Sequence, residues 1–266
     1  MVATSYTPVR VLSEQGPVRV ELARWQGRLV VVKHLFGISP LFAERLQREA
    51  EVVKKLDHHN ILPLLASDGT TLIYAYADGV PFSDKVDTWG VCEARTLSVI
   101  DDVLQALEYA HQHGVIHCDV KPANVILHAD RALLSDFGFA KDLALASITS
   151  QGMRLGTPNY MAPEQFRGDR SDPRSDLYAV GAMLYHVATG SPPYGNRVLY
   201  VLAGDTTIGL EPLPPDAAPL ASIIATALSP DPDARFASAR DMLAALRHVV
   251  ATTELSTGPS TDPEAS

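Results

Sequence analysis

Residues 117–127 read HCDVKPANVIL, and the triplet DFG follows at residues 136–138. The two segments place an aspartate, a lysine, an asparagine and a second aspartate at fixed spacings, and the apolar residues after Asn124 predict a short strand. Carboxylate and amide oxygens are the ligands that Mg²⁺ prefers, and a carboxylate beside a hydroxyl group can orient it and accept its proton. The pattern therefore indicates phosphoryl transfer, in which a metal ion neutralises the phosphates while an aspartate positions the attacking oxygen.

With these residues the chain resembles the protein-kinase superfamily and, within it, the eukaryotic-like serine/threonine kinases of bacteria, over about residues 6–250. The resemblance implies an α+β, bilobal protein-kinase fold, with a small antiparallel β-rich N-lobe that contains one helix and a larger, mainly α-helical C-lobe. The N-lobe is expected at residues 1–77 and the C-lobe at residues 78–251. Residues 252–266 contain almost no apolar side chains and are expected to be disordered.

The same resemblance implies a role for each residue of the central motifs. Asp119 is expected to be the catalytic base, Asn124 and Asp136 the metal ligands, and Lys121 to lie beside the transferred phosphate, as in serine/threonine kinases. The implied reaction moves the γ-phosphoryl group of ATP to serine or threonine hydroxyls of proteins, including the chain itself. ATP and Mg²⁺ are the implied cofactors, with Mn²⁺ as an alternative metal.

A second set of residues is expected to hold the nucleotide. The apolar run that ends at Lys33 resembles the strand whose lysine grips the α- and β-phosphates. Its ion-pair partner is expected to be Glu49, with Glu44 and Glu51 as rivals on the same helix. The remaining nucleotide-binding residues implied by the resemblance are Leu12, Val20, Val31, Tyr74 at the gatekeeper place, Ala75, Ala77 and Ile126.

Residues 156–164, GTPNYMAPE, resemble the end of an activation segment. The resemblance implies that Thr157 touches the catalytic residues and that Glu164 pairs with Arg235. It also implies that Asp176 is the buried anchor of a central helix that braces the catalytic loop.

The phosphate-covering loop departs from the family pattern. Ser13, Gln15 and Val18 occupy the three glycine places, and only Gly16 lies nearby. Glycine is favoured there because its missing side chain lets backbone N–H groups approach the phosphates. We expect the substitution to weaken ATP binding or slow transfer by about tenfold.

Cys118 is the second departure, because it replaces the arginine that usually precedes the catalytic aspartate. In relatives that arginine pairs with a phosphorylated residue of the activation loop and couples phosphorylation to loop order. A thiol cannot form that charge-assisted bond. We therefore expect activity to depend little on phosphorylation of Ser147, Thr149 or Ser150.

Composition limits the compartment and the partners. The chain is 46% hydrophobic and 20% charged, which is typical of a soluble globular protein, and its net charge of −9 argues against nucleic acid as the main partner. Cys92 and Cys118 are too few for a disulfide framework, which suits a reducing cytoplasm. No signal peptide and no apolar run of about 18 residues is visible, so a cytoplasmic protein without a membrane partner is expected. The oligomeric state is left open.

Hydrophobic periodicity predicts the order of the elements. The pair Ser39-Pro40 predicts the start of a helix that runs to about Leu56. A long helix with one apolar face is predicted to stop at Gly114. Further elements are predicted as strands at residues 8–12, 18–24, 28–34, 62–65, 71–76, 125–127 and 133–134, and as helices at residues 176–189, 220–228 and 238–250.

Two other functions remain alternatives. A pseudokinase, acting as a protein-binding or nucleotide-sensing module, is favoured by the glycine-poor loop alone. A small-molecule phosphotransferase on a related fold is disfavoured, because residues 156–164 resemble a segment that forms a platform for a polypeptide substrate. The set that argues for an active kinase is Lys33, Glu49, Asp119, Asn124 and Asp136, which a structural module has no chemical reason to retain together.

Overall fold

The N-terminal part of the chain forms a five-stranded antiparallel sheet. The computed structural model describes residues 5–37, 40–137, 158–169 and 172–256. The strands lie in the order β1-β2-β3-β5-β4. Their bounds are β1 Thr7–Gln15, β2 Val18–Trp25, β3 Arg28–Leu35, β4 Leu64–Ser67 and β5 Thr71–Ala75.

Helix α1, Pro40–Val53, packs against one face of this sheet. Its buried residues Leu46, Ala50 and Val53 recur at the spacing of a single helical face. The opposite face of the sheet has a separate small core, which contains Trp25 and Ile73. The sheet therefore holds α1 on the side that also faces the rest of the chain.

The remaining part of the chain is mainly helical. A second, three-stranded sheet in the order β6-β7-β8 lies beside the helices. Its strands are β6 Gly79–Pro81, β7 Val125–His128 and β8 Arg131–Leu134. The helices are α2 Ala94–Gln112, α3 Pro163–Phe166, α4 Arg174–Thr189, α5 Val198–Leu202, α6 Ala221–Ala227 and α7 Ala239–Ser256.

Helix α4 is the centre of this helical lobe, since nearly all of its residues are buried. It packs against α6 so closely that a Cβ on Gly181 would lie 2.5 Å from the Cβ of Ala227. Only glycine permits that approach. Helix α2 packs between β8 and α7 through a buried face that includes Ile100, Leu104 and Leu107.

The predicted α+β, bilobal fold is confirmed, with differences at element ends. Strand β1 extends to Gln15, where residues 8–12 were predicted, because its last residues pair with the start of β2 across a tight turn at Gly16 and Pro17. Strand β6 lies where the helical part was predicted to begin, and it forms because its residues pair with β7. Ser39, the predicted capping residue of α1, lies outside the described residues.

The predicted disorder from residue 252 onward is wrong for residues 252–256. Helix α7 continues to Ser256, and the Thr252 hydroxyl donates to the carbonyl of His248 at 3.0 Å. Adding residues to an existing helix needs no new nucleation, so polar residues can extend it without an apolar face. Residues 257–266 lie outside the described part of the chain.

Candidate active site

An ion-pair network that is buried at Lys33 and Glu49 joins the N-terminal sheet to the partly exposed Asp136. The Nζ atom of Lys33, on β3, lies 3.0 Å from both carboxylate oxygens of Glu49 on α1 and 2.9 Å from Oδ1 of Asp136. The Glu49 side chain is fully buried, whereas Glu44 and Glu51 are exposed. The structure thus brings together the predicted pair Lys33 and Glu49 and adds the aspartate of the DFG triplet.

The surroundings of this network favour charge on Lys33 and on Asp136. Burial alone lowers the pKa of Lys33, but the carboxylates of Asp136 and Glu49 outweigh it and hold that pKa above its ordinary value. The Lys33 ammonium in turn holds the pKa of Asp136 below its usual range. Burial raises the pKa of Glu49, against the opposing effect of Lys33. A lysine that stays cationic at neutral pH is suited to a phosphate group.

The loop after α2 brings together the predicted catalytic residues. The Lys121 ammonium lies 2.6 Å from Oδ2 of Asp119. The amide of Asn124 donates to the same oxygen at 3.0 Å and to the Asp119 carbonyl at 2.8 Å. The Asp119 side chain remains about one-third exposed, at 36%. The carboxylate can therefore receive a proton from a group that approaches from solvent.

The Asp176 carboxylate fixes the backbone conformation of this loop through hydrogen bonds. Its Oδ1 accepts the backbone N–H of Cys118 at 2.8 Å, and its Oδ2 accepts that of His117 at 2.9 Å and lies 2.9 Å from Nε2 of His111. The carboxylate is buried at the start of α4. Cys118 has a φ of +64°, a strained value for a residue other than glycine. The two backbone bonds to Asp176 hold that conformation, as the sequence resemblance implied.

His117 links the catalytic loop to the segment that carries Asp136. Its Nε2 lies 2.8 Å from the Ser135 carbonyl, and its Nδ1 accepts the N–H of Asp119 at 3.2 Å. Since Nδ1 accepts, the proton is on Nε2, which donates to Ser135. This bridging position of His117 was not predicted from the sequence.

Gln165, on α3, was also missed by the sequence analysis. Its Nε2 donates to the Cys118 carbonyl at 3.1 Å, and its Oε1 accepts the N–H of Ala162 at 3.0 Å. The side chain therefore ties the residue before Asp119 to the segment that follows Tyr160. Its position two residues after a proline is a common helix start and gives no signal of this contact.

Three of the predicted nucleotide residues, Val20, Val31 and Tyr74, lie on the sheet face that carries Lys33. Strand pairing sets Val20 opposite Lys33, and Val31 opposite Tyr74. Tyr74 is buried, and its hydroxyl donates to Oε1 of Glu49 at 2.7 Å. The other predicted residues lie elsewhere: Leu12 is exposed on β1, Ala75 ends β5 opposite Val30, Ala77 follows β5, and Ile126 is partly buried on β7.

A buried ion pair holds the end of the predicted activation segment. The Arg235 guanidinium donates to both carboxylate oxygens of Glu164, at 2.7 and 2.8 Å, and Ser175 donates to the same carboxylate at 2.6 Å. The arginine also lies over the ring of Tyr178, 5.0 Å from its centroid. The pairing of Glu164 with Arg235 agrees with the sequence expectation. Thr157 and the candidate phosphorylation sites 147, 149 and 150 lie outside the described residues.

A chain of three polar side chains connects the same segment to α4. The Tyr160 hydroxyl lies 2.5 Å from Nδ1 of His186, and Nε2 of His186 lies 3.0 Å from Asp87. Burial lowers the pKa of His186, which favours the neutral ring. The neutral ring accepts a hydrogen bond from the Tyr160 hydroxyl at Nδ1 and donates one from Nε2 to Asp87. Nothing in the sequence indicated this connection, because the three residues come from separate elements.

The predicted metal ligands are brought near each other by backbone contacts. The Asn124 carbonyl accepts both the N–H and the hydroxyl of Ser135, at 2.9 and 3.0 Å. Since the Asn124 amide nitrogen donates to Asp119, its Oδ1 is the atom suited to a cation. The described residues contain no cluster of three or more His, Cys, Asp or Glu side chains that could hold a metal. One carboxylate and one amide fit Mg²⁺ carried in with phosphates, which usually keeps few protein ligands.

No helix in the described part of the chain is both long and apolar enough to span a membrane. Cys92 and Cys118 form no disulfide in the described part of the chain.

Comparison with known proteins agrees with the fold and with the motifs. The protein kinase domain family model matches residues 14–246. Serine/threonine-protein kinase PknB of Mycobacterium tuberculosis is 36% identical over 269 residues, which cover 90% of this chain and 42% of PknB. Serine/threonine-protein kinase PknJ of Mycobacterium bovis is 38% identical over 215 residues, which cover 74% of this chain and 36% of PknJ. The chain thus spans less than half the length of these relatives.

The solved kinase domain of M. tuberculosis PknI is similar in structure. It superposes with a TM-score of 0.73 and 29% sequence identity, over 93% of this chain and 96% of that domain. A cysteine-to-alanine mutant of the same domain gives a TM-score of 0.70 at 30% identity, over 92% of this chain and 96% of that domain. The chain belongs to the protein kinase domain family, among the eukaryotic-like serine/threonine kinases of bacteria.

Proposed function

We propose that the chain transfers the γ-phosphoryl group of ATP to serine or threonine hydroxyls of proteins, including its own. The observation that carries this proposal is the convergence of two networks. Lys33, Glu49 and Asp136 form one, and Asp119, Lys121 and Asn124 form the other. The bonds from Ser135 to the Asn124 carbonyl join them.

In this proposal Asp119 acts as the base. Its Oδ2 already contacts Lys121 and Asn124, which orients the carboxylate and leaves Oδ1 to accept the proton of the incoming hydroxyl. As the hydroxyl oxygen forms its bond to the γ-phosphorus, its proton passes to Asp119 and the bond from phosphorus to the ADP oxygen breaks. Most of the rate enhancement then comes from positioning and from fixed charge.

The cationic side chains act on the phosphates. Lys33 is held by Glu49 so that its ammonium projects from the sheet face predicted to line the nucleotide slot. Lys121, beside Asp119, can contact the phosphoryl group while it is transferred. Mg²⁺, or Mn²⁺, would be held by Asn124 and Asp136 and would neutralise phosphate charge when bound. Two cysteines without a disulfide suit a reducing cytoplasm.

A pseudokinase is the second candidate, and one observation favours it. Ser13 and Gln15 occupy glycine places on β1, and the Val18 side chain at the third place is buried in β2. A pseudokinase would bind Mg·ATP or a protein without transferring phosphate.

The proposal is tested with γ-labelled ATP, Mg²⁺ or Mn²⁺, and a generic basic protein as acceptor. Labelled phosphoserine or phosphothreonine is expected from the native chain and should be lost in Lys33→Ala. Label confined to phosphotyrosine would contradict the proposed acceptor class. A folded native chain that binds nucleotide but transfers no label would instead favour the pseudokinase.

A further inference from the structure

We infer that Tyr74 is a positioning residue of the reaction, whose hydroxyl holds the Glu49 carboxylate against Lys33. The inference rests on the proposed function, and it assigns the Tyr74 hydroxyl a task beyond lining the nucleotide slot. A side chain at this place needs only bulk to close the slot. The hydroxyl adds a directed contact with the helix that carries Glu49.

The geometry is that of a carboxylate held by two donors from one sheet. The Tyr74 hydroxyl donates to Oε1 of Glu49 at 2.7 Å, while Lys33 Nζ lies 3.0 Å from Oε1 and 3.0 Å from Oε2. Tyr74 and Lys33 lie on neighbouring strands, with Val31 opposite Tyr74 and Leu72 opposite Lys33. The two donors are therefore diagonal neighbours on one sheet face, and α1 presents its glutamate to both.

Two donors fix the orientation of the Glu49 carboxylate, which one ammonium group cannot do. A lysine ammonium is a compact charge with rotatable donors, so it sets the distance to a carboxylate but not the orientation of the carboxylate plane. Lys33 is also shared, since it contacts Asp136 at 2.9 Å. When Lys33 turns toward a phosphate oxygen, the phenol still holds Glu49 in its rotamer. Tyr74 thereby keeps α1 docked on the sheet while Lys33 engages the nucleotide.

Burial strengthens the hydrogen bond between Tyr74 and Glu49. The Glu49 carboxylate has no exposed surface and Tyr74 is 5% exposed. Three groups face Glu49, namely Lys33 on β3, Tyr74 on β5 and Asp136 beyond β8. Burial raises the pKa of Glu49, Asp136 raises it further, and the bonds from Lys33 and Tyr74 lower it. Burial raises the pKa of Tyr74 well above its ordinary value, so the phenol remains a donor at neutral pH.

The test is a double-mutant cycle on Tyr74 and Glu49. Tyr74→Phe keeps the ring and removes the donor, and Glu49→Ala removes the acceptor. Tyr74→Phe is expected to lower kcat/KM for ATP about tenfold in the native background, because a hydrogen bond to a buried charge is lost. In the Glu49→Ala background the same substitution should change kcat/KM less than about twofold, because no carboxylate remains to hold.

A second readout separates positioning from packing. Without the phenol donor the Glu49 pKa rises, so the acid limb of the rate–pH profile of Tyr74→Phe should move to higher pH. Tyr74→Met, which also lacks a donor, should behave like Tyr74→Phe. Tyr185→Phe is the matched control, because its hydroxyl donates to the Glu211 carbonyl at 3.1 Å away from the site. It should leave both kcat/KM and the acid limb unchanged.

The double-mutant cycle is also measured as urea unfolding midpoints, which do not depend on enzymatic activity. A native-like kcat/KM and acid limb in Tyr74→Phe would overturn the inference. Equal losses from Tyr74→Phe with and without Glu49, in kinetics or in unfolding midpoint, would overturn it too. Absence of transfer by the native chain would contradict the proposed function instead, and the cycle would then be read on the dissociation constant of Mg·ATP and on unfolding.

Discussion

Glu164 and Arg235 lie 71 positions apart in the sequence and form a two-point ion pair at 2.7 and 2.8 Å. Both side chains are buried, and Ser175 donates to the same carboxylate. The pair therefore fastens the end of the predicted activation segment to the body of the helical lobe. Removing one partner leaves an uncompensated charge in the interior, which typically costs about 3–5 kcal/mol.

We predict that Arg235→Ala lowers the free energy of unfolding by about 3–5 kcal/mol, measured by urea denaturation at pH 7. Arg240→Ala serves as the control, because its ion pair with Glu108 is largely exposed on the arginine side and should cost less than about 1 kcal/mol. Equal losses in the two variants would contradict a dominant role of the buried pair.

The same carboxylate predicts a pH dependence of stability. Burial raises the pKa of Glu164, but the hydrogen bonds from Arg235 and Ser175 outweigh it, so the folded-state pKa lies below the ordinary value of 4.5. The stabilisation is thus fully present above about pH 4.5 and lost as the pH falls through the lower folded-state pKa. Urea unfolding of the native chain and of Glu164→Gln should differ most above pH 4.5 and converge below it. A difference that grows on acidification would have the wrong sign.

Asp176→Asn is predicted to loosen the catalytic loop. An amide group cannot accept both backbone N–H groups of His117 and Cys118, so one buried donor loses its partner. The expected cost is about 3 kcal/mol of unfolding free energy, together with a lower transfer rate in the folded fraction. Asp101→Asn is the control, because it weakens an ion pair with the exposed Arg247 and a hydrogen bond from Gln105 on α2, neither of which involves His117 or Cys118. A fully active, fully stable Asp176→Asn variant would contradict the bracing role.

The glycine-poor loop predicts a gain of function. Gln15→Gly, next to the Gly16-Pro17 turn, should raise kcat/KM for ATP by up to about tenfold, because backbone N–H groups could approach the phosphates. Val18→Gly is a poor choice for the same test, since the buried valine side chain would be lost at a cost of about 2 kcal/mol. Steady-state kinetics with varied ATP gives kcat/KM for the native chain and for each glycine variant. No gain from Gln15→Gly or from Ser13→Gly would show that side chains at these places do not limit the reaction.

The motif residues were predictable because chemistry fixes both their type and their spacing. The roles expected of Asp119, Asn124 and Asp136 remain predictions, whereas the expected pairs Lys33–Glu49 and Glu164–Arg235 are both present in the structure. Glu49 contacts Lys33 from a fully buried position, while Glu44 and Glu51 on the same helix are exposed.

Contacts that depend on tertiary packing could not be predicted. The bridge from His117 to Ser135, the bond from Gln165 to the Cys118 carbonyl and the bond from Tyr74 to Glu49 each join separate elements. Side chains of these types occur in many cores, and their partners are set by how sheets and helices stack. Helix α7 was predicted too short for a related reason, since a polar extension has no periodic signal.

The central claim is that Asp119 is the base in a phosphoryl transfer carried out by this chain. The most direct test compares the rate of γ-phosphoryl transfer by native protein and by Asp119→Asn, at nucleotide concentrations that saturate both. If Asp119 is the base, the transfer rate of Asp119→Asn is at least about 100-fold lower, with Mg·ATP affinity within about twofold of native. Equal transfer rates in the two proteins would contradict it.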